Sequence, residues 1–179
     1  MKKVVIISSS IRTGSNSEIL AKECQRGALE SGNEVEFLSL KGKRIEFCRG
    51  CLSCQKTGIC IIKDDVADII ESVRNADVIV FATPIYYFEL CGQLKTLLDR
   101  LNPLYESNYH FRDIYLIATA AEEEKDTFDR AYQGLQGWVD CFPEASLKGI
   151  VKGYGISDPR SAEDHREVMK EAYELGRKL

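Results

Sequence analysis

The sequence has no apolar stretch long enough to cross a membrane. A membrane-spanning helix needs about 20 consecutive apolar residues, whereas the apolar part of the N-terminal segment is confined to Val4–Ile7. Four β-branched residues followed by serines predict a short buried strand rather than a signal peptide. We therefore expect a cytoplasmic protein without a membrane partner.

The sequence also has little excess charge. Its formal net charge is -4 at pH 7 over 179 residues. Nucleic-acid-binding domains carry concentrated positive charge, so a nucleic-acid partner is not expected.

Two common catalytic motifs are missing. No cysteine lies between Val4 and Ser17, which excludes the Cys-x5-Arg loop of the low-molecular-weight tyrosine phosphatases. No Gly-Lys-Ser/Thr sequence of the Walker type is present. The two histidines, His110 and His165, lie far from this loop in the sequence, and we expect both at the surface.

What the chain does have is a regular alternation of apolar strands and amphipathic helices. Strand patterns cover 4–7, 33–40, 77–83, 114–119 and 146–154, and helix patterns cover 17–31, 65–74, 93–101, 122–141 and 159–178. This alternation predicts a parallel sheet with helices on both faces. Without a repeat or linker, residues 1–179 are predicted to form one α/β domain. Its expected fold is the flavodoxin-like, doubly wound five-stranded sheet of order 2-1-3-4-5, which binds its ligand at the carboxyl ends of strands one, three and four.

The loop after the first strand suits an anion. Ser8–Ser17 carries hydroxyls, an amide and a guanidinium, and a predicted helix begins at its end. A helix N-terminus has unpaired N–H groups and a partial positive charge, which attract phosphate. An ordinary solvated loop with a helix cap is the alternative interpretation.

Two further loops should meet the first at the same edge of the sheet. Thr83–Phe88 holds three successive aromatic residues directly after a buried strand, which indicates either a flat ligand or an interface. The third loop runs from Thr119 to Lys125, and Glu122–Glu124 within it is predicted to be the solvated first turn of a helix. A phosphate site beside a flat apolar surface suggests a mononucleotide or a flavin phosphate.

These loops resemble those of the flavodoxin-like NAD(P)H-dependent FMN reductase and iron–sulfur flavoprotein superfamily. The first family loop, Gly-Ser-x-Arg followed by small residues, is similar to Ser9–Ser17, and the second, Thr/Ser-Pro-x-Tyr-aromatic, is similar to Thr83–Phe88. The segment Lys95–Arg100 is similar to the family's Lys-x-x-x-Asp-Arg helix. The resemblance covers nearly the whole chain.

The resemblance implies a bound FMN and names its ligands. The implied phosphate ligands are Ser10, Arg12, Ser15, Asn16 and Ser17. The implied ring contacts are Thr83, Pro84, Ile85, Tyr86, Tyr87, Phe88 and Thr119. No side chain is expected to act as an acid, base or nucleophile, because the flavin itself supplies the chemistry.

A second motif is a compact cluster of cysteines in the cysteine-rich loop 41–64. Cys48, Cys51, Cys54 and Cys60 follow the spacing C-x2-C-x2-C-x5-C. Four closely spaced thiolates are typical of iron–sulfur clusters, and they also suit structural zinc or free redox-capable thiols. The spacing is similar to that of the iron–sulfur flavoproteins, which implies a 4Fe-4S cluster, but the same pattern occurs in relatives not known to hold one, so all three alternatives stay open.

The predicted function is therefore that of an enzyme, an FMN-dependent oxidoreductase. It would take electrons from NAD(P)H or a reduced redox protein and pass them to an unidentified acceptor. The alternative is a flavodoxin-type electron carrier or a redox sensor, and the mild net charge of -4 disfavours a carrier. Aromatic residues such as Tyr86, Tyr87 and Tyr105 predict an interface, and hence a homodimer or homotetramer.

Overall fold

The computed structural model describes residues 1–105 and 107–179, and its elements alternate as the sequence predicts. The strands are β1 (Lys3–Ser8), β2 (Glu34–Ser39), β3 (Val78–Tyr86), β4 (Glu89–Leu90), β5 (Asp113–Thr119) and β6 (Ser146–Gly153). The helices are α1 (Asn16–Glu30), α2 (Ser53–Thr57), α3 (Val66–Arg74), α4 (Gly92–Arg100), α5 (Asp129–Val139) and α6 (Arg166–Lys178). Two short 3-10 turns cover Asn102–Leu104 and Ser161–Asp164.

Five parallel strands form the sheet in the order β2-β1-β3-β5-β6. Counted without the two-residue β4, this is the predicted order 2-1-3-4-5, and the flavodoxin-like fold class is confirmed. The order reverses direction at β1, so the carboxyl ends of β1 and β3 border the crevice in which such sheets bind ligands.

The sheet separates two apolar layers. On one face, α3, α4 and α5 cover residues such as Ile7, Phe81 and Leu116. On the other face, α1 and α6 cover residues such as Ile6 and Val80. The two helices α1 and α6 pack closely through glycines, because a Cβ at Gly27 would lie only 2.2 Å from the Tyr173 carbonyl oxygen.

The segment after β3, expected to be a loop, is a β-hairpin instead. β3 continues to Tyr86, and β4 pairs with it antiparallel, Ile85 opposite Leu90 and Tyr86 opposite Glu89. The two turn residues, Tyr87 and Phe88, have φ angles of 53° and 64°. Positive φ is typical of glycine and asparagine in such turns, so nothing in this sequence pointed to a hairpin.

Two helices begin later than their patterns predict. The helix expected from residue 122 begins at Asp129. The loop before it is bound to the turn after β6, where the Gly155 N–H donates a hydrogen bond to the Glu122 carbonyl (3.1 Å). Glu122–Glu124 are therefore loop residues and not a first helical turn. The helix expected from residue 159 begins at Arg166, after the 3-10 turn.

The surface residues agree with two expectations. His110 and His165 are both exposed. In the described part of the chain, no helix combines the length and the apolar character that a membrane crossing requires.

Candidate functional site

A cavity of about 410 Å³ opens at the carboxyl ends of β1, β3 and β5. Pockets for small ligands commonly have volumes of roughly 300–1,000 Å³. Its walls come from the loops after β1 and β6, from the end of β3 with its hairpin turn, and from the end of β5 with the loop that follows it. We call it the sheet-edge cavity; its lining residues are Ser10, Arg12, Ser15, Asn16, Pro84, Ile85, Tyr86, Tyr87, Phe88, Thr119, Ala120, Ala121, Glu122, Ile156 and Ser157.

One end of the sheet-edge cavity is the N-terminus of α1. Ser15 is the N-cap residue, and its hydroxyl accepts a hydrogen bond from the Glu18 N–H (3.4 Å). The loop 9–17 contains no carboxylate. Hydroxyls, unpaired helix N–H groups and the Arg12 guanidinium together favour a bound anion at this end.

The first loop is held in place by the loop after β6. Arg12 Nη1 donates to the Ser157 carbonyl (2.7 Å), and the Asn16 side chain donates to the Asp158 carbonyl (2.7 Å) while accepting from the Ala162 N–H (3.1 Å). Gly14 has a φ of 68°, and a Cβ there would lie 3.1 Å from Arg160. The Asn16 side chain thus orients this loop through both ends of its amide.

The other end of the sheet-edge cavity is apolar and aromatic. Tyr86 and Phe88 are 51% and 41% exposed, and Tyr87 is 98% exposed at the tip of the hairpin. The guanidinium of Arg130 lies 5.8 Å from the Phe88 ring centroid. Aromatic side chains exposed on a hairpin stabilised by sheet pairing offer a flat contact surface to a ligand or a partner.

A buried polar network connects the first two loops beneath the cavity. The Ser9 hydroxyl donates to the Ala82 carbonyl (2.9 Å) and lies 3.2 Å from Cys91 Sγ. The Cys91 N–H in turn donates to the Thr83 hydroxyl (3.4 Å). These contacts fix the relative positions of the anion-binding end and the aromatic end.

The sequence-predicted residues fall into two groups. Ten of the twelve line the sheet-edge cavity, whereas Ser17 and Thr83 are buried behind it, Ser17 against Ser15 (3.1 Å between hydroxyls) and Thr83 in the polar network. Sequence reasoning missed the lining residues Ala120, Ala121, Ile156 and Ser157, and it assigned no site role to Glu122. Ile156 and Ser157 follow the last parallel strand, and that position at the common sheet edge was the available signal.

A second cavity of about 330 Å³ is lined by all four cysteines of the compact motif. We call it the thiol pocket. Cys54 is buried, Cys60 is half-buried, and Cys48 and Cys51 are exposed. Within residues 1–105 and 107–179, no three His, Cys, Asp or Glu side chains are arranged to share a single metal ion.

Arg100, which lines the thiol pocket, belongs to a buried ion pair. Arg100, at the end of α4, bonds Asp64 at two points (2.6 and 2.9 Å), and their side chains are 1% and 0% exposed. Arg100 also donates to the Glu46 carbonyl (2.7 Å), and Asp64 accepts from the Glu46 N–H (2.8 Å). These bonds hold the two ends of the cysteine segment 47–63 together. We call this junction of Glu46, Asp64 and Arg100 the neck of the segment.

The charge environment of the thiol pocket affects two acidic groups. Burial by itself raises the pKa of Asp64, but hydrogen bonds from Arg100 and from the Glu46 and Val66 N–H groups outweigh it and hold that pKa below the usual value of 3.8. The N–H and hydroxyl of Ser53 lower the pKa of the exposed Cys51 thiol. Both effects favour the negatively charged form.

Comparison with known proteins identifies the family. Residues 2–133 match the NADPH-dependent FMN reductase family. An iron–sulfur flavoprotein from Archaeoglobus fulgidus is 35% identical over all of this chain and 79% of its own length. Iron–sulfur flavoprotein MJ1083 from Methanocaldococcus jannaschii is 40% identical over 57% of this chain, and that match spans about half (53%) of the relative.

A solved structure shows the same fold. The NAD(P)H:quinone oxidoreductase from Methanothermobacter marburgensis superposes with a TM-score of 0.76 over 99% of this chain and 96% of its own, at 18% identity. At that identity the likeness describes the fold alone.

The protein is a flavin-dependent oxidoreductase of the flavodoxin-like class. The chain belongs to the NADPH-dependent FMN reductase family, within the superfamily that also contains the iron–sulfur flavoproteins. The predictions of the superfamily, of FMN as cofactor and of an NAD(P)H-dependent enzyme are thereby confirmed. The sheet-edge cavity fits FMN by its donor set, with hydroxyls and a guanidinium at one end and aromatic rings at the other.

Proposed function

We propose that FMN binds in the sheet-edge cavity and carries electrons from NAD(P)H to a second centre in the thiol pocket. The observation that supports this most directly is the division of the cavity into an anion-binding end and an aromatic end at the switch point of the sheet. FMN has one charged phosphate and one flat ring system, so each end matches one part of the cofactor.

In this proposal the chain binds and orients the cofactor. Ser10, Arg12 and Ser15 bind the phosphate together with the N–H groups of α1, and Asn16 and Ser17 hold their loop in shape. Pro84–Phe88 and Thr119 contact the ring, and Thr83 supports them from behind. When bound, FMN supplies the transfer of hydride or single electrons, and the exposed aromatic hairpin leaves access for a donor.

The thiol pocket is proposed to hold a 4Fe-4S cluster through Cys48, Cys51, Cys54 and Cys60. Two observations support a cluster: the four thiols line one cavity, and N–H donors contact the sulfurs of Cys48, Cys54 and Cys60. Hydrogen bonds to sulfur are a usual feature of iron–sulfur sites. Two relatives with substantial identity are themselves named iron–sulfur flavoproteins.

A single helix connects the two sites. α4 begins next to Cys91, which belongs to the polar network under the sheet-edge cavity, and ends at Arg100, which lines the thiol pocket. Electrons passing through FMN to the thiol pocket could then reach a small molecule or a redox protein. A direct flavin acceptor, without the thiol pocket, is the competing route.

The remaining proposals concern the whole protein. Residues 1–179 form one FMN-binding domain that carries the cysteine segment as a loop. The exposed side chains of Tyr86, Tyr87, Phe88 and Tyr105 support a homodimer or homotetramer. The seven cysteines, all within the described residues, form no disulfide, which supports a reducing compartment such as the cytoplasm.

The phosphate-binding end is tested by the double variant Arg12→Ala/Ser15→Ala. Each hydrogen bond to a charged group contributes about 1.5–3 kcal/mol, so the loss of two should weaken FMN binding by about 100-fold or more. Fluorescence titration of the apoprotein with FMN measures this. The control is Thr13→Ala, in the same loop but outside the cavity lining. Equal FMN affinity for the double variant and the control would reject the assignment.

The thiol pocket is tested by purifying the protein without oxygen. We expect about four iron atoms and four acid-labile sulfides per chain, the stoichiometry of the cluster, with broad visible absorbance beyond the flavin bands. A Cys54→Ser/Cys60→Ser variant should lose the iron and keep FMN. Yellow wild-type protein without iron would reject the cluster and leave the FMN assignment intact.

A further inference from the structure

Two side chains from outside the cysteine segment donate hydrogen bonds to its sulfurs. Asn102 Nδ2 lies 3.0 Å from Cys54 Sγ, and Arg100 Nη2 lies 3.6 Å from Cys60 Sγ. Both donors come from the end of α4 and the 3-10 turn that follows it. A neutral thiol is a weak acceptor, so these donors are better suited to sulfur that carries negative charge.

The Arg100 donor is fixed before any group binds. The guanidinium is 1% exposed and is anchored by its two bonds to Asp64 and by the Glu46 carbonyl. Within the described part of the chain, its Nε has no hydrogen-bond partner. A cation buried this completely remains close to Cys60 whatever the oxidation state of the pocket.

The Asn102 donor is fixed by its position in the chain. It begins the 3-10 turn directly after α4, next to the buried Pro103 and Leu104. Its partner Cys54 is itself buried in the short helix α2. The hydrogen bond between the amide and this sulfur is therefore partly buried, and a hydrogen bond in such surroundings has a larger electrostatic effect than one at the surface.

We propose that Asn102 and Arg100 are positioning residues that raise the reduction potential of the thiol pocket by stabilising negative charge on the sulfurs of Cys54 and Cys60. This inference rests on the proposed cluster. Addition of one electron to a four-thiolate iron–sulfur centre makes the site one unit more negative, and hydrogen-bond donors at sulfur favour that state. Bound FMN reduced by one hydride would supply two electrons in succession and release one proton to solvent, and the external acceptor would take each electron from the pocket before the next one arrived.

Asn102 is the residue to change, because its loss leaves no buried charge behind. Asn102→Leu removes the donor, and Asn102→Asp replaces it with an acceptor that repels negative sulfur. Asn102→Gln keeps an amide and is the rescue variant. The matched control is Asn75→Leu, which removes an Nδ2 hydrogen bond of similar length (2.8 Å, to the Glu71 carbonyl) at the end of α3, outside the lining of the thiol pocket.

The measurement is an anaerobic redox titration of the full-length, cluster-reconstituted protein, followed by visible absorbance and electron paramagnetic resonance. We expect Asn102→Leu to lower the equilibrium constant for one-electron reduction about tenfold, which corresponds to 59 mV. Asn102→Asp should lower it further, Asn102→Gln should return towards the wild-type value, and Asn75→Leu should equal wild type. Iron content and urea unfolding show whether a variant has lost its fold instead.

The outcomes separate this inference from the function on which it rests. Wild-type protein that takes up no iron overturns both the cluster and the inference. Wild type and Asn102→Asp that both hold the cluster at equal potential overturn the inference alone. The order Gln, Leu, Asp in falling potential supports it, since a purely structural role would change stability without ordering the potentials by charge.

Discussion

The sheet-edge cavity and the thiol pocket are built in different ways. Strand ends and the loops that follow them form the first, and buried hydrogen bonds such as that of Ser9 connect them. The thiol pocket lies on a segment outside the sheet. The ion pair of Arg100 and Asp64 joins the ends of that segment, and Arg100 lines the pocket. The structure of the sheet-edge cavity should therefore survive the loss of one contact, whereas the structure of the thiol pocket should depend strongly on the Arg100–Asp64 pair.

The largest effect is expected from Arg100→Ala. This change leaves the Asp64 carboxylate buried without its partner, which should lower the free energy of unfolding by about 3–5 kcal/mol. Urea unfolding followed through Trp138 fluorescence measures it. The control is Lys95→Ala on the same helix, whose exposed pair with Asp99 should contribute about 0–1 kcal/mol. Similar losses for both variants would show that the pair does not anchor the pocket.

A smaller effect, with a defined pH dependence, is expected from Asp64→Asn. The asparagine cannot neutralise the buried Arg100, and the loss at pH 7 should be about 1–3 kcal/mol. The pKa of Asp64 is lower in the folded protein than its ordinary 3.8. Its contribution is therefore complete above the unfolded pKa and is lost as pH falls through the folded value.

Unfolding free energies of wild type and Asp64→Asn, measured from pH 7 to pH 3, test this sign. The difference between the two proteins should stay constant down to about pH 5 and then narrow in acid. If the difference in unfolding free energy widened in acid instead, the charged form of Asp64 would not be the one that stabilises the folded protein.

The smallest effect concerns the sheet-edge cavity and has the opposite sign. Tyr87 has a φ of 53° and is 98% exposed, so Tyr87→Asn should relieve backbone strain and stabilise the FMN-free protein by about 1 kcal/mol. The control is Tyr105→Asn, at an exposed tyrosine with a φ of -61°, where no gain is expected. Thermal unfolding of both variants measures the difference. A destabilised Tyr87→Asn would mean that the tyrosine side chain, not the backbone, determines the turn.

Most of the fold followed from local patterns, since continuous apolar runs such as that around Val80 predict buried parallel strands. The hairpin of β3 and β4 did not, because Tyr87 and Phe88 adopt positive φ without being glycine or asparagine. Tertiary contacts account for it: Glu89 lies against α5 so closely that a Cβ at Gly134 would be 3.3 Å from its carboxylate. The late start of α5 has a similar tertiary cause, the bond between Gly155 and Glu122.

The candidate site was predictable to the extent that its residues lie at or directly after the carboxyl ends of β1, β3 and β5. Ser17 and Thr83 have suitable side chains, but both are buried in the protein interior, Ser17 in the first turn of α1 and Thr83 within β3. The donors to the thiol pocket could not be assigned, because Asn102 and Cys54 are far apart in the sequence and meet only in the fold. Arg100 belongs to a recognised helix motif, yet its pairing with Asp64 required the structure.

The ion pair at the neck also sets the cysteine segment apart from the rest of the domain. Two of the groups that bond Arg100, the Asp64 carboxylate and the Glu46 carbonyl, lie at the ends of the segment, and the third, the Cys60 sulfur, lies within it. Residues 47–63 contribute neither to the Asp64–Arg100 ion pair nor to the lining of the sheet-edge cavity. The cysteine segment is therefore a separate module on the domain, and its sequence can change without altering the residues that line the sheet-edge cavity.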